Sequence, residues 1–171
     1  VSAKADAPTL RVSLGDAVQE AGSGSFTVEN LGGSAGFHNS YGYSFIDDNG
    51  NPSLGQIIWS DVHDTVGQTA TIEGVDSGHV GFFLLSDGDG ENRGLSSGEN
   101  VTFQQDGNGN WQVLDSDGAV LRADHQGGLF FTDQSLNSDG LDHETDGSHA
   151  GNQNWEILRG GGDNDFNDFN A

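Results

Sequence analysis

Three observations predict an all-β fold, a β-sandwich or jelly roll. The 171 residues break into about a dozen short runs that are apolar or alternate apolar with polar, the period of a half-buried strand. Those runs are separated by clusters of Gly, Asn and Asp, and 28 glycines make turns the dominant punctuation. Ten Phe, three Trp and two Tyr are spread along the whole length, so apolar anchors are available to every sheet. A chain of this length predicts one domain with a core of its own, here residues 9–171, with 1–8 as a small, polar linker remnant.

In order, Thr9 to Leu14 alternates as a strand, and Asp16 to Ala21 reads as a short helical turn closed by Gly22-Ser23-Gly24. Ser25 to Asn30 is a strand with Phe26 and Val28 on one face. After the flexible Gly32–Gly36 turn, Phe37 to Ile46 alternates aromatic with small residues, and Asp47-Asp48-Asn49-Gly50-Asn51-Pro52 predicts a hairpin into Gln56–Trp59. Thr69–Ile72 is a strand. Val80–Leu85 is apolar enough to be central and buried on both faces. Ser86–Asn92 is an oxygen-rich loop. Glu99–Gln105 and Asn110–Leu114 form a hairpin across Asp106-Gly107-Asn108-Gly109, followed by short strands at Ala119–Leu121, Gly128–Thr132 and Asn154–Leu158.

Charge narrows the function. Twenty-seven acidic against five basic residues leave a net charge of −22, which argues against nucleic acid and anionic membranes as partners, because both reward Lys and Arg. Cations are the expected counter-charge. With no cysteine, any bound metal is held by oxygen or imidazole, and oxygen predominates. The absence of an initiating Met, a signal peptide and a membrane-length apolar run predicts a segment cut from a longer chain.

The most specific stretch is Asp163-Asn164-Asp165-Phe166-Asn167-Asp168, introduced by Gly160-Gly161-Gly162. Its D-x-D-x-N-D spacing gathers side-chain oxygens, and calcium takes roughly six to eight oxygen ligands. The sixth position is Asp168 where an EF-hand has Gly, and the motif does not recur, so it is neither an EF-hand nor a β-roll array. Asp87 and Asp89 in Ser86–Asn92 make a second calcium candidate, and Asp139 and Asp142 in Asn137–Glu144 a third. His143 is expected to bond a ligand or brace a carboxylate. Glu156 is delivered toward the terminal loop by the preceding strand. Expected cofactors are therefore Ca2+ ions, more than one, in a millimolar-calcium extracellular setting.

The ordered run Ser40-Tyr41-Gly42-Tyr43, Ile57-Ile58-Trp59, Gly81-Phe82-Phe83-Leu84, Asp139-Gly140-Leu141-Asp142-His143, Trp155-Glu156 and Gly161-Gly162-Asp163-Asn164-Asp165-Phe166-Asn167-Asp168 resembles a calcium-binding domain-of-unknown-function family found in large secreted repeats-in-toxin adhesins. That resemblance spans about Phe37 to Asp168. It implies a monomeric ligand-binding module of a bacterial surface adhesin, acting on other cells or surfaces. The terminal motif is also similar to the paired-calcium loop of bacterial fucose/mannose lectins. Carried over, Glu156, Asp163, Asp165 and Asp168 hold one ion, while Asp165, Asn167 and Asp168 are shared with or face a second. The chain departs from those lectins in a longer Glu156–Asp163 gap and in having no strand and terminal glycine after the loop.

Three readings follow. In the first, loop-bound calcium captures a cell-surface glycan or a protein C-terminus, with Tyr41, Tyr43 or Trp59 as a stacking wall. The second is a calcium-stabilised spacer without ligand. The third is a hydrolase using Asp61 with Asp64, or Asp142 with Glu144; crowded polar loops suit cations better than a general acid, so no enzyme is expected.

Overall fold

The computed structural model describes residues 13–14, 17–18, 24–145 and 153–171. It is an all-β protein built from antiparallel sheets. The first two strands, β1 (Ser13–Leu14) and β2 (Ala17–Val18), pair with each other. Ala17–Val18 was expected in a helical turn; Gly15-Asp16 between the two strands is a two-residue hairpin signal that outweighs it. The linker remnant 1–8 lies outside the described residues.

Strands β3 (Gly24–Glu29), β4 (Ser40–Ile46), β5 (Pro52–Trp59), β6 (Thr69–Val75), β7 (Val80–Leu85), β8 (Asn100–Gln105), β9 (Trp111–Leu114) and β10 (Leu129–Phe131) follow. Six of them form the main sheet in the order β10-β7-β4-β5-β8-β9. β4 and β7 are interior; the apolar run of β7 predicts this, whereas β4, whose alternation predicts a half-buried strand, is covered on both faces, with Tyr41, Tyr43 and Phe45 on one and Ser40, Gly42 and Ser44 on the other. Gly42 has to be glycine: Phe83 is its register partner on β7, and a Cβ on Gly42 would fall 2.5 Å from the Phe83 ring.

The main sheet is buried on both faces. On one, Tyr41, Tyr43, Leu84, Phe130 and Trp155 form a core roofed by the β3–β6 pair and by a small sheet of β11 (Glu144–Thr145), β12 (Asn154–Trp155) and β13 (Phe169–Asn170). On the other, Ile57, Phe83, Leu85, Val101, Val113 and Phe131 pack together where the sheet curls and its edge strands β9 and β10 approach. Each fully buried ring or Leu contributes about 2–3 kcal/mol of transfer free energy, which is why aromatic spacing alone predicted a core.

The acidic turns are largely self-satisfied. Asp47 Oδ1 accepts from the amides of Asn49 and Asn51, both at 2.9 Å. Asp106 does the same for Asn108 and Asn110, and Asp115 for Asp117 and Ala119. A carboxylate that caps its own hairpin relieves orphan amides and fixes the register, so these acids serve the fold. The hairpin expected at 47–52 is formed. The expected strand at Ala119–Leu121 reduces to one bridge between Leu114 and Val120. Ser86–Asn92, expected as a loop, contains one helical turn, Gly88–Glu91.

Candidate metal centre

The terminal loop is held from both ends by the small sheet. Trp155 pairs with Phe169 across β12 and β13, and both rings are fully buried. β13 is therefore a strand after the loop, where the sequence reading expected none; the chain's last residues gain it by pairing with β12. Between the strands the backbone turns at Gly160, Gly161 and Gly162, with φ of 78°, 90° and 49°. Positive φ at three successive positions favours glycine, and the turn folds Asp163–Asp168 back over Glu156. A Cβ at Gly162 would sit 2.3 Å from Glu156 Oε1.

Glu156 is the centre of the arrangement. It is 1 % exposed, and its Oε2 makes no hydrogen bond among the described residues. Carboxylate oxygens of Glu156, Asp163 and Asp165 lie within 4.8 Å of one another. Asp168 stands beside Glu156, with its Oδ2 accepting the Ile157 amide at 2.9 Å. Burial, then the Asp168 charge and the hydrogen bond to it, push the Glu156 carboxyl up to about 8. Burial also raises Asp168. A buried carboxylate oxygen without a partner is costly, and converging acids raise the cost, so the geometry is suited to a cation. The donors are all oxygen, which fits a hard ion such as Ca2+.

No family model, curated protein or solved structure matches this chain.

Asn167, the remaining member of the motif, is engaged elsewhere. Its Oδ1 accepts from the Ser34 hydroxyl and its Nδ2 donates to Asp165 Oδ2 at 2.7 Å, so it braces the loop instead of facing the cluster. Ser34 belongs to a segment that the sequence reading passed over as a flexible turn. Leu31 and Ser34 donate backbone bonds to Asn170 and Asn167, and Gly33 lies so close that a Cβ would meet the Asp168 carbonyl. Gly32-Gly33-Ser34 is thus a strap over the loop, and its signal was the paired glycine itself, which permits close backbone approach.

Asp139, expected as a metal ligand, is occupied: its Oδ2 accepts from His143 Nε2 at 2.8 Å and from the Gly160 amide at 2.9 Å, and its Oδ1 takes the Leu141 amide. Burial opposes ionisation, yet these hydrogen bonds, Gly160 first, hold its carboxyl below the ordinary value. Asp142 is exposed and, among the described residues, belongs to neither acidic group. His143, expected to bond a ligand or brace a carboxylate, has the second arrangement: it is 0 % exposed, its Nδ1 bonds the Glu156 carbonyl at 2.8 Å, and its ring stacks on Phe130 at 3.6 Å. It ties Asp139 to the residue that carries the buried carboxylate.

The stacking wall is a correction. Tyr41, Tyr43 and Trp59 are 0, 0 and 3 % exposed, because β4 and β5 turn them into the core, where Tyr41 stacks on Trp59 at 5.7 Å. No ligand reaches those rings. At the second candidate, Asp87 groups with Glu91 and Asp124 within 4.8 Å, and Asp89 is not part of the group. Asp87 Oδ1 accepts the His38 amide at 2.9 Å. Asp124 was unmarked in the sequence reading; it is brought there by its backbone bond to Ser86. Asp61 is buried, bonded to His38 Nδ1 at 2.7 Å and to the His63 amide, whereas Asp64 is exposed. Among the described residues no helix is long and apolar enough to cross a membrane.

Proposed function

We propose that this chain is a calcium-dependent binding module of a large secreted surface adhesin, recognising a cell-surface glycan or a protein C-terminus, and that it is not an enzyme. The observation that carries the metal reading is Glu156: a buried carboxylate with an unpartnered oxygen, facing the exposed acids Asp163 and Asp165. Glu156, Asp163, Asp165 and Asp168 would hold the ion, and the resemblance of the D-x-D-x-N-D loop to two-calcium lectins supports calcium over other hard cations. Exposure of Asp163 and Asp165 leaves the ion open to oxygens of an extracellular ligand. Calcium would supply the charge that offsets the clustered carboxylates and lock the loop against the small sheet.

A spacer without ligand is the second reading, favoured by the burial of Tyr41, Tyr43 and Trp59, which leaves the loop without those stacking aromatics. One paired experiment separates the two. The folded domain is titrated with calcium by calorimetry, then screened with calcium and with chelator against arrays of glycans and of peptides with free or amidated C-termini. Calcium uptake with calcium-dependent capture supports the binding module. Uptake with silence on both arrays supports the spacer, and absence of uptake removes the metal reading.

A further inference from the structure

We propose that a cavity at the seam between β9 and β10 is a second ligand site, one that takes a carboxylate-bearing saccharide. The cavity holds about 310 Å3, within the range of small-ligand pockets, and lies where the two edges of the curled main sheet approach. Its apolar floor includes Val113, Leu121 and Leu136 from the second core. Around the mouth stand the half-buried Trp111, with Asp106, Gln112, Ser138, the paired Asp124 and His125, and Arg159.

Arg159 is the informative residue. Of the chain's five basic side chains, Arg159 is, among the described residues, the one that shares the lining of a cavity with an aromatic ring. The ion pairs seen among the described residues involve His38, His79, His125 and His143, and Arg159, like Arg93 and Arg122, is in none of them. The Arg159 backbone is fixed, its amide donating to the Gln126 carbonyl at 2.9 Å, and its Nη2 would lie 3.8 Å from a Cβ on Gly128. An exposed guanidinium presents a planar fork of donors that matches a carboxylate.

The rest of the rim suits a sugar. An indole face packs against the apolar face of a pyranose, and carboxylates and amides take hydroxyl pairs. Asp106 commits only Oδ1 to its turn, and Gln112 uses only Oε1, accepting from Gln104. A peptide strand is disfavoured, since the outer edge of β9 is already occupied by the Leu114–Val120 bridge and the Leu121 amide. The neighbouring depression of about 420 Å3 gathers Arg93 and Arg122 but no aromatic ring, so it does not share this chemistry.

The cavity shares no residue with the terminal loop's acidic cluster, and because Arg159 directly precedes the glycine turn that shapes that loop, the test is carried out on the folded, calcium-treated domain. Nuclear magnetic resonance is used to titrate it with methyl galacturonide, N-acetylneuraminate, neutral methyl galactoside and a short peptide with a free C-terminus. The expected result is a saturable shift of the Trp111 indole N–H with one or both acidic sugars and not with the neutral one. Arg159→Gln should weaken that binding about tenfold or more at unchanged melting temperature, while Arg93→Gln leaves it intact. Silence at Trp111 with both acidic sugars, equal response to the neutral sugar, response to the peptide alone, or an undiminished affinity in Arg159→Gln would each overturn the assignment.

Discussion

Glu156 and Asp168 bring two carboxyl groups together behind the terminal loop, where burial pushes both above the ordinary carboxylate range, the Asp168 charge adding to the rise at Glu156 and the Asp165 and Asp163 charges to that at Asp168. The Glu156 carboxyl rises from 4.5 to about 8, so the metal-free folded state binds a proton that the unfolded chain releases. Stability of the metal-free domain therefore falls as pH rises from 4.5 toward 8, the reverse of the usual carboxylate trend. Thermal melts in chelator at pH 5, 7 and 9 check this, and Glu156→Gln should flatten the profile. A melting temperature that climbs across that window in the wild type refutes it.

Calcium should reverse the penalty. At a concentration about a hundredfold above its dissociation constant, an ion bound only by the folded state adds ~2.7 kcal/mol. Asp165→Ala removes one of the three converging carboxylates and should abolish most of that gain; the chelated protein also loses stability, by a smaller amount, because Asp165 accepts the Asn167 amide and side chain. Scanning calorimetry with calcium and with chelator reads both quantities. Identical wild-type curves under the two conditions would sink the loop assignment.

His143→Phe keeps a flat ring against Phe130 but removes both hydrogen bonds of a fully buried imidazole. The Glu156 carbonyl loses its partner and Asp139 keeps only its amide donors. The expected loss is about 2–4 kcal/mol, read as a lower urea midpoint at unchanged slope. A midpoint within error of wild type means that His143 is not a brace.

Gly162→Ala tests the turn that folds the loop over Glu156. Alanine there meets a backbone of φ 49° and a Cβ position 2.3 Å from Glu156 Oε1, so about 1–3 kcal/mol is lost together with calcium affinity. Gly94→Ala is the control: φ is 85° but nothing lies within 4 Å, so strain appears without any change in calcium affinity. Equal calcium affinity in the Gly162→Ala variant and the wild type would separate the turn from the site.

Much of the site's local chemistry was legible, because Asp163, Asp165 and Glu156 are marked by spacing and by an adjacent strand. What the local pattern could not distinguish was a carboxylate aimed at a common point from one turned back on its own amides. Asp139, expected as a metal ligand, belongs to the second kind; Asp47 and Asp106 were legible as hairpin turns and cap their own amides. Nor did alternation along β4 say which face Tyr41 and Tyr43 would present to solvent, since both faces of the main sheet are covered.

By itself, the sequence determined the all-β class, the turn positions and the terminal acidic motif, because strand alternation, Asx turns and clustered oxygens are properties of neighbouring residues. Only the tertiary structure decided that Glu156 is buried beside Asp168, that Ser34 straps Asn167, and that Arg159 and Trp111 line one cavity. Those relations join strands remote in sequence, and their cost or gain comes from desolvation, which no single stretch of chain can specify.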